Sequence, residues 1–229
     1  MAQHEATGQG QAVGIPAALN RRELRVFTTH DAQAAYASPR PQLKRLADAG
    51  LLRRLCDGVF AIVPPQHVDR PWTPPLEAAA VGLEAARSGR DSAVLMGLSA
   101  ARMHGAVPRA LGRATVATRT QRRPITLDGT RLEVRFVKRR VDELDADLTT
   151  TALGNVLVTS IEQTILDLAG PRIQDAEAVA EREAILWLTP RADHTTLKDL
   201  ASRQRLGRAL RRAQRVSPAL RSGSEDQTR

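Results

Sequence analysis

Along residues 38–50, SPRPQLKRLADAG, apolar positions recur at Leu43, Leu46 and Ala47, a spacing that predicts a helix with one buried face. Ser38 suits its N-cap, Pro39 its first helical position and Gly50 a left-handed stop. The period then shortens. Residues 51–55 and 59–63 are two apolar-rich runs around Cys56-Asp57-Gly58, and Asp-Gly predicts a hairpin turn. Pro64-Pro65 ends the second run. Upstream, residues 15–26 (IPAALNRRELRV) read as a first helix, and HDAQAAYA, capped by Thr28 or Thr29, reads as a second.

Three helices and a hairpin in this order predict a winged helix-turn-helix over residues 15–65. QHVDRPWTPP, within 66–75, reads as a proline-rich linker. Beyond it a helix is expected from Leu76 to Ser88, then a short strand or buried turn at 92–95, and a helix AARMHG capped by Ser99. Strand-like runs follow at 113–118, 124–127 and 131–137. The last alternates Leu132, Val134 and Phe136 inward against Arg131, Glu133 and Arg135 outward, with Asp128-Gly129 turning into it. A short strand at 155–158 leads to a helix opened by Ser160, with Gln163 placed for a capping box. Residues 174–188 and 195–216 read as helical, and the run Asp142, Glu143, Asp145, Asp147 as a solvated turn. The expected fold class is α+β: the winged unit, then a larger mixed α/β domain over 76–216 with a small antiparallel sheet flanked by helices. Residues 1–14 and 217–229 are expected to be disordered.

Charge narrows the partners. The 229 residues carry 34 Lys and Arg against 25 Asp and Glu, a net +9, which favours polyanions through counterion release. Arg40, Gln42, Lys44 and Arg45 fall on the exposed side of the 38–50 helix, where Arg suits guanine and Gln suits adenine edges. Arg53 and Arg54 on the hairpin would lie beside a phosphate or the minor groove. Arg119, Arg122, Arg123, Arg131 and Arg135 form a second basic surface, and Arg205, Arg208, Arg212 and Arg215 a stripe on the last helix. Both also suit a solvated face.

Chemistry is harder to find. A single cysteine, Cys56, excludes an internal disulfide and a cysteine-based zinc site, and the five histidines are scattered. GLSAA at 97–101 lacks the second glycine of a nucleophile elbow, and His104 reads as packed. No phosphate-cradling loop is present. No catalytic site, metal or cofactor is expected. With neither a signal peptide nor an apolar run of ~20 residues, a cytoplasmic protein without a membrane partner is expected. The oligomeric state stays open.

Three blocks carry a family resemblance. VFTTHDAQAAYASPRPQLKRLADAGLLRRLCDGVFAIVPP resembles the N-terminal winged helix of AbiEi-type antitoxins, AVLMGLSAARMHGAV their "S-A-A-x-x-H-G" helix, and VLVTSIEQTILDLA their "V-T-S-x-E-x-T-L-L-D-L-A" helix. The resemblance covers residues 16 to 170. It implies a repressor that binds repeats of double-stranded DNA in its own promoter and counters a nucleotidyltransferase-like toxin. The implied DNA-reading positions are Arg40, Gln42, Lys44, Arg45, Arg53 and Arg54. Ser99, His104, Ser160 and Glu162 match the family's later motifs and read as structural. Two alternatives remain: a remnant or active nuclease of the very-short-patch-repair type, for which no Asp…Glu-x-Lys centre precedes SGSEDQTR, and a protein-interaction module that binds the toxin.

Overall fold

The structure is a computed structural model that describes residues 14–170 and 177–221. The expected disordered N-terminus lies, but for Gly14, outside the described residues.

The N-terminal unit runs α1 (Ala17–Asn20), β1 (Val26–Thr28), a single-turn helix at Asp31–Ala34, α2 (Pro39–Asp48), β2 (Leu52–Cys56) and β3 (Val59–Ile62). Its three strands are antiparallel in the order β1-β3-β2. The hairpin and α2 stand where the sequence puts them. The two earlier helices are shorter than expected. The first stops at Asn20 because Leu24 and Arg25 adopt positive φ, after which Val-Phe-Thr, β-branched and aromatic, takes up an extended edge. In the second, Asp31 accepts from the Thr28 backbone N–H (2.8 Å) and hydroxyl (2.9 Å), which fixes a turn rather than a longer helix.

The pleat of this small sheet serves two cores. Phe27, Leu52 and Ile62 pack with Leu19, Leu43 and Leu46 under α2. Val26, Val59 and Ala61 point the other way, into a core shared with α3 (Leu76–Ser88). Gly82 permits that approach: a Cβ there would stand 2.7 Å from Val26 Cγ2. The stretch 66–75 therefore joins two units with a common core.

The second unit contains β4 (Ala93–Leu95), α4 (Gly97–Met103), β5 (Arg113–Thr118), β6 (Ile125–Thr126), β7 (Glu133–Lys138), β8 (Ala146–Thr151), β9 (Gly154–Thr159), α5 (Ile161–Leu168), α6 (Ala178–Leu188), α7 (His194–Arg203) and α8 (Gly207–Val216). Its sheet is larger than expected and mixed, not antiparallel. Six strands lie in the order β6-β7-β5-β4-β9-β8, with β4 parallel to β9 and β5 parallel to β7. β8 escapes sequence reading because it is an edge strand with no buried residue, so no apolar alternation marks it. It contains part of the acidic run expected to be a turn. Helices α4 to α8 build a separate apolar cluster beside the sheet.

The helix expected over 195–216 is two helices. Arg205 takes a φ of 57°, and the Leu206 N–H returns to the Ala201 carbonyl (2.7 Å), a left-handed stop between α7 and α8. The tail expected to fray from residue 217 is folded as far as Arg221, because Leu220 is fully buried against α8 and its neighbours.

Candidate nucleic-acid interface

Helix α2 is held by Leu43 and Leu46, which leaves the opposite side to solvent. Arg40, Lys44 and Arg45 are exposed there and Gln42 is half-buried. Lys44 reaches Asp48 one turn later (2.7 Å), an exposed i,i+4 pair worth a few tenths of a kcal/mol. Among the described residues, Arg40 and Arg45 meet no carboxylate. Ser38 occupies the N-cap position without making a cap hydrogen bond.

The hairpin arginines behave differently. Arg53 donates to the Asp128 carbonyl (2.7 Å), Arg54 pairs with the Asp128 carboxylate (2.7 Å), and the Asp128 N–H donates to the Leu55 carbonyl (2.9 Å). The turn before β7 is thereby clamped onto β2. Arg53 and Arg54, expected beside a phosphate or the minor groove, have their guanidinium groups engaged by Asp128 in this structure and so join the two units.

The second basic cluster is neutralised in part within the fold. Arg119 pairs with Asp142 (2.6 Å), Arg139 with Asp167 (3.2 Å) and Arg140 with Glu143 (2.6 Å). Arg122 meets Glu84, whose side chain is 2% exposed; Nε lies 2.7 Å from Oε2 out of hydrogen-bond alignment, while Nη2 donates to Oε1 at 3.2 Å. The basic sheet surface expected at Arg119, Arg122, Arg123, Arg131 and Arg135 is thus reduced to Arg123 and Arg131, both exposed, and a half-buried Arg135. Glu84 was missed, although a signal existed. Glu77 and Glu84 stand seven apart on the apolar helix α3, both buried, and Arg102 takes the first (3.1 Å) as Arg122 takes the second.

On α8, Ala209 and Ala213 face inward and Arg208 and Arg215 are exposed, with Arg212 half-buried. Arg205 belongs to the preceding turn, so the expected four-arginine stripe is not one helix face.

The residues of the later motifs spend their polar atoms on backbone. Ser99 sits inside α4, not at its cap, and accepts from the Thr115 N–H (2.9 Å). His104 Nε2 donates to the Thr159 carbonyl (2.7 Å), which sets its tautomer. Ser160 caps α5 by accepting from the Gln163 N–H (3.1 Å), and Glu162 accepts from the Asp193 N–H (2.7 Å). Together they tie α4, α5 and α7 to the sheet. Asp167, on α5, is enclosed so fully that desolvation raises its pKa to about 6 despite Arg139 and Gln163. Among the described residues there is no cluster of three or more His, Cys, Asp or Glu that could hold a metal, and no helix long and apolar enough to cross a membrane.

Comparison with known proteins places part of this architecture. The model of the AbiEi antitoxin C-terminal domain family matches residues 92–220, from β4 to the turn after α8. The crystal structure of the RV2827C protein from Mycobacterium tuberculosis is similar in fold, with a TM-score of 0.57 at 18% identity over 90% of this chain and 75% of that one. No curated protein matches.

Proposed function

The chain belongs to the family of AbiEi antitoxin C-terminal domains, and we propose that it acts as an antitoxin that represses its own promoter through α2. The family membership supports the antitoxin role. The DNA contact is carried by one observation: α2 projects Arg40 and Arg45, free of carboxylates among the described residues, immediately before a hairpin whose strand β3 also pairs β1. On this reading the helix, strand, turn, helix and hairpin form a winged helix-turn-helix, in which the helix before the ribbon enters the major groove.

In that docking Arg40 and Arg45 address guanine O6 and N7 or phosphates, Gln42 addresses adenine, and Lys44 contributes a point charge. Arg53 and Arg54 hold the second unit in place behind the helix. The partner in the wider system is a nucleotidyltransferase-like toxin, countered without catalysis by this chain. Fluorescence anisotropy on the chain's own upstream region, against a scrambled duplex, tests the reading. Preferential binding that weakens steeply with salt supports it; equal affinity for both duplexes removes sequence-specific repression.

A further inference from the structure

On the face of the sheet opposite α3, a cleft of about 590 Å3 opens between β5, β7 and helices α4 to α6. That is the size of small-molecule sites. Some of its groups pair with one another, Arg139 with Asp167 and Arg113 with Glu177, but not all are satisfied. The Asp167 side chain is 1% exposed; Oδ1 takes Gln163 (3.2 Å) and Arg139 (3.2 Å), but Oδ2 is buried with no donor. A buried carboxylate oxygen without a donor is costly, and such groups are rare in folded proteins. Ser99, 1% exposed on the same wall, uses its oxygen to accept from Thr115 (2.9 Å), which leaves its proton to donate. Four arginines, Arg109, Arg113, Arg135 and Arg139, and the acids Glu177 and Glu181 complete the lining. Arg135, half-buried on the cleft face of β7, and Arg109 meet no carboxylate among the described residues, whereas Arg113 is held by Glu133 (2.6 Å) and Glu177 (3.5 Å).

We propose that this cleft binds a nucleoside monophosphate, its phosphate on Arg135 and Arg109 and an N–H of its base on Asp167 Oδ2. The two ends of the cleft ask for different chemistry. Guanidinium groups want an anion, and the orphaned carboxylate oxygen wants a donor; inorganic phosphate meets the first need only. A nucleotide meets both, with the Ser99 hydroxyl on the same wall available to a ligand oxygen. The site is separate from α2 and does not depend on the DNA reading.

Isothermal titration of the full chain with AMP, GMP, CMP, UMP and inorganic phosphate tests it. At least one mononucleotide is expected to bind with one-to-one stoichiometry, at least about tenfold tighter than phosphate, since a hydrogen bond to a charged group contributes about 1.5–3 kcal/mol. Arg135→Ala, which breaks no ion pair among the described residues, should weaken that binding about tenfold or more, and Asp167→Asn should erode the advantage of the nucleotide over phosphate. Arg40→Ala should leave it untouched, which separates this site from the DNA contact. Absence of mononucleotide binding at millimolar concentration overturns the proposal, as does binding indifferent to Arg135→Ala. Phosphate binding as tightly as every nucleotide overturns the assignment of ligand class.

Discussion

Helix α2 and the stretch 119–140 look alike as strings of letters, since each is a short run dense in arginine. In the fold they have opposite fates. On α2 the cations stand in water with only Lys44 tied, loosely, to Asp48. In the second stretch Arg119, Arg122, Arg139 and Arg140 each find a carboxylate. Arg122 and Arg139 have exchanged water for a buried acid, whereas the Arg119 and Arg140 pairs stay largely in water, as Lys44 and Asp48 do. Local charge density does not separate the two cases; what decides is whether the topology brings an acid alongside.

The largest effect that tests this contrast is on stability. Arg122→Ala strands the buried Glu84 carboxylate, whose remaining donor is the Ser88 hydroxyl (2.8 Å), and should cost about 3 kcal/mol in urea denaturation. Arg40→Ala, on a solvated face, should stay within about 0.5 kcal/mol of the parent. Equal losses in the two variants would mean that pairing does not distinguish the regions.

Next comes Asp167 on α5, the buried acid that pairs with Arg139 of the second region. Folded, it keeps its proton up to about pH 6; unfolded, it releases it near 3.8. Between these values the folded state binds more protons, so this group's contribution to stability falls as pH rises through the window. Relative to Asp167→Asn, which does not titrate, the parent should therefore lose about 3 kcal/mol between about pH 4 and pH 7. Denaturant midpoints across that range check the slope, and a constant difference would remove the desolvation argument.

The same contrast explains which parts of the molecule were legible in the sequence. The helix over Pro39–Asp48, the Asp57-Gly58 hairpin and the Ser160 cap are local, each written within a dozen residues, and the structure has them. β1 was hidden inside a helical-looking window, because a three-residue strand earns its place from pairing with β3 rather than from its own pattern. β8 was hidden because an edge strand needs no apolar face. The candidate interface was half legible: exposure on α2 follows from helical periodicity, but the capture of Arg53 and Arg54 by Asp128 joins residues about 75 apart, and no local pattern announces it. The cleft around Asp167 was not legible at all, since it assembles β5, β7, α4, α5 and α6.

On the first region, the expected effects are on binding. Gln42→Ala or Arg40→Ala should reduce discrimination between operator and scrambled duplex by about 1–3 kcal/mol, the value of one bidentate base contact. Lys44→Ala should instead weaken both duplexes alike and lower the salt slope by about 0.9 per lost phosphate contact. Anisotropy titrations at several salt concentrations distinguish these outcomes. Discrimination unchanged in both the Arg40 and Gln42 variants would move base reading off α2.

The smallest effect falls on the residue that belongs to both regions. Arg54 lies on the hairpin but pairs with Asp128, and both side chains are substantially exposed, at 52% and 40%. A pair so open to solvent contributes under about 1 kcal/mol, so Arg54→Ala should leave the melting transition nearly where it was. Its effect on DNA is the sharper question. If the Asp128 clamp holds, the guanidinium is already engaged, and the variant should bind the operator with the parent's affinity and salt slope. If the arginine swings from Asp128 to a phosphate on docking, the slope should fall by about 0.9. Asp128→Asn separates the two: it leaves Arg54 with the looser contact to Asp57 (3.6 Å), and affinity should then rise, because a cation withheld by the second unit is returned to the first. An unchanged slope in Arg54→Ala, with unchanged affinity in Asp128→Asn, confines recognition to α2 and makes the hairpin a structural joint.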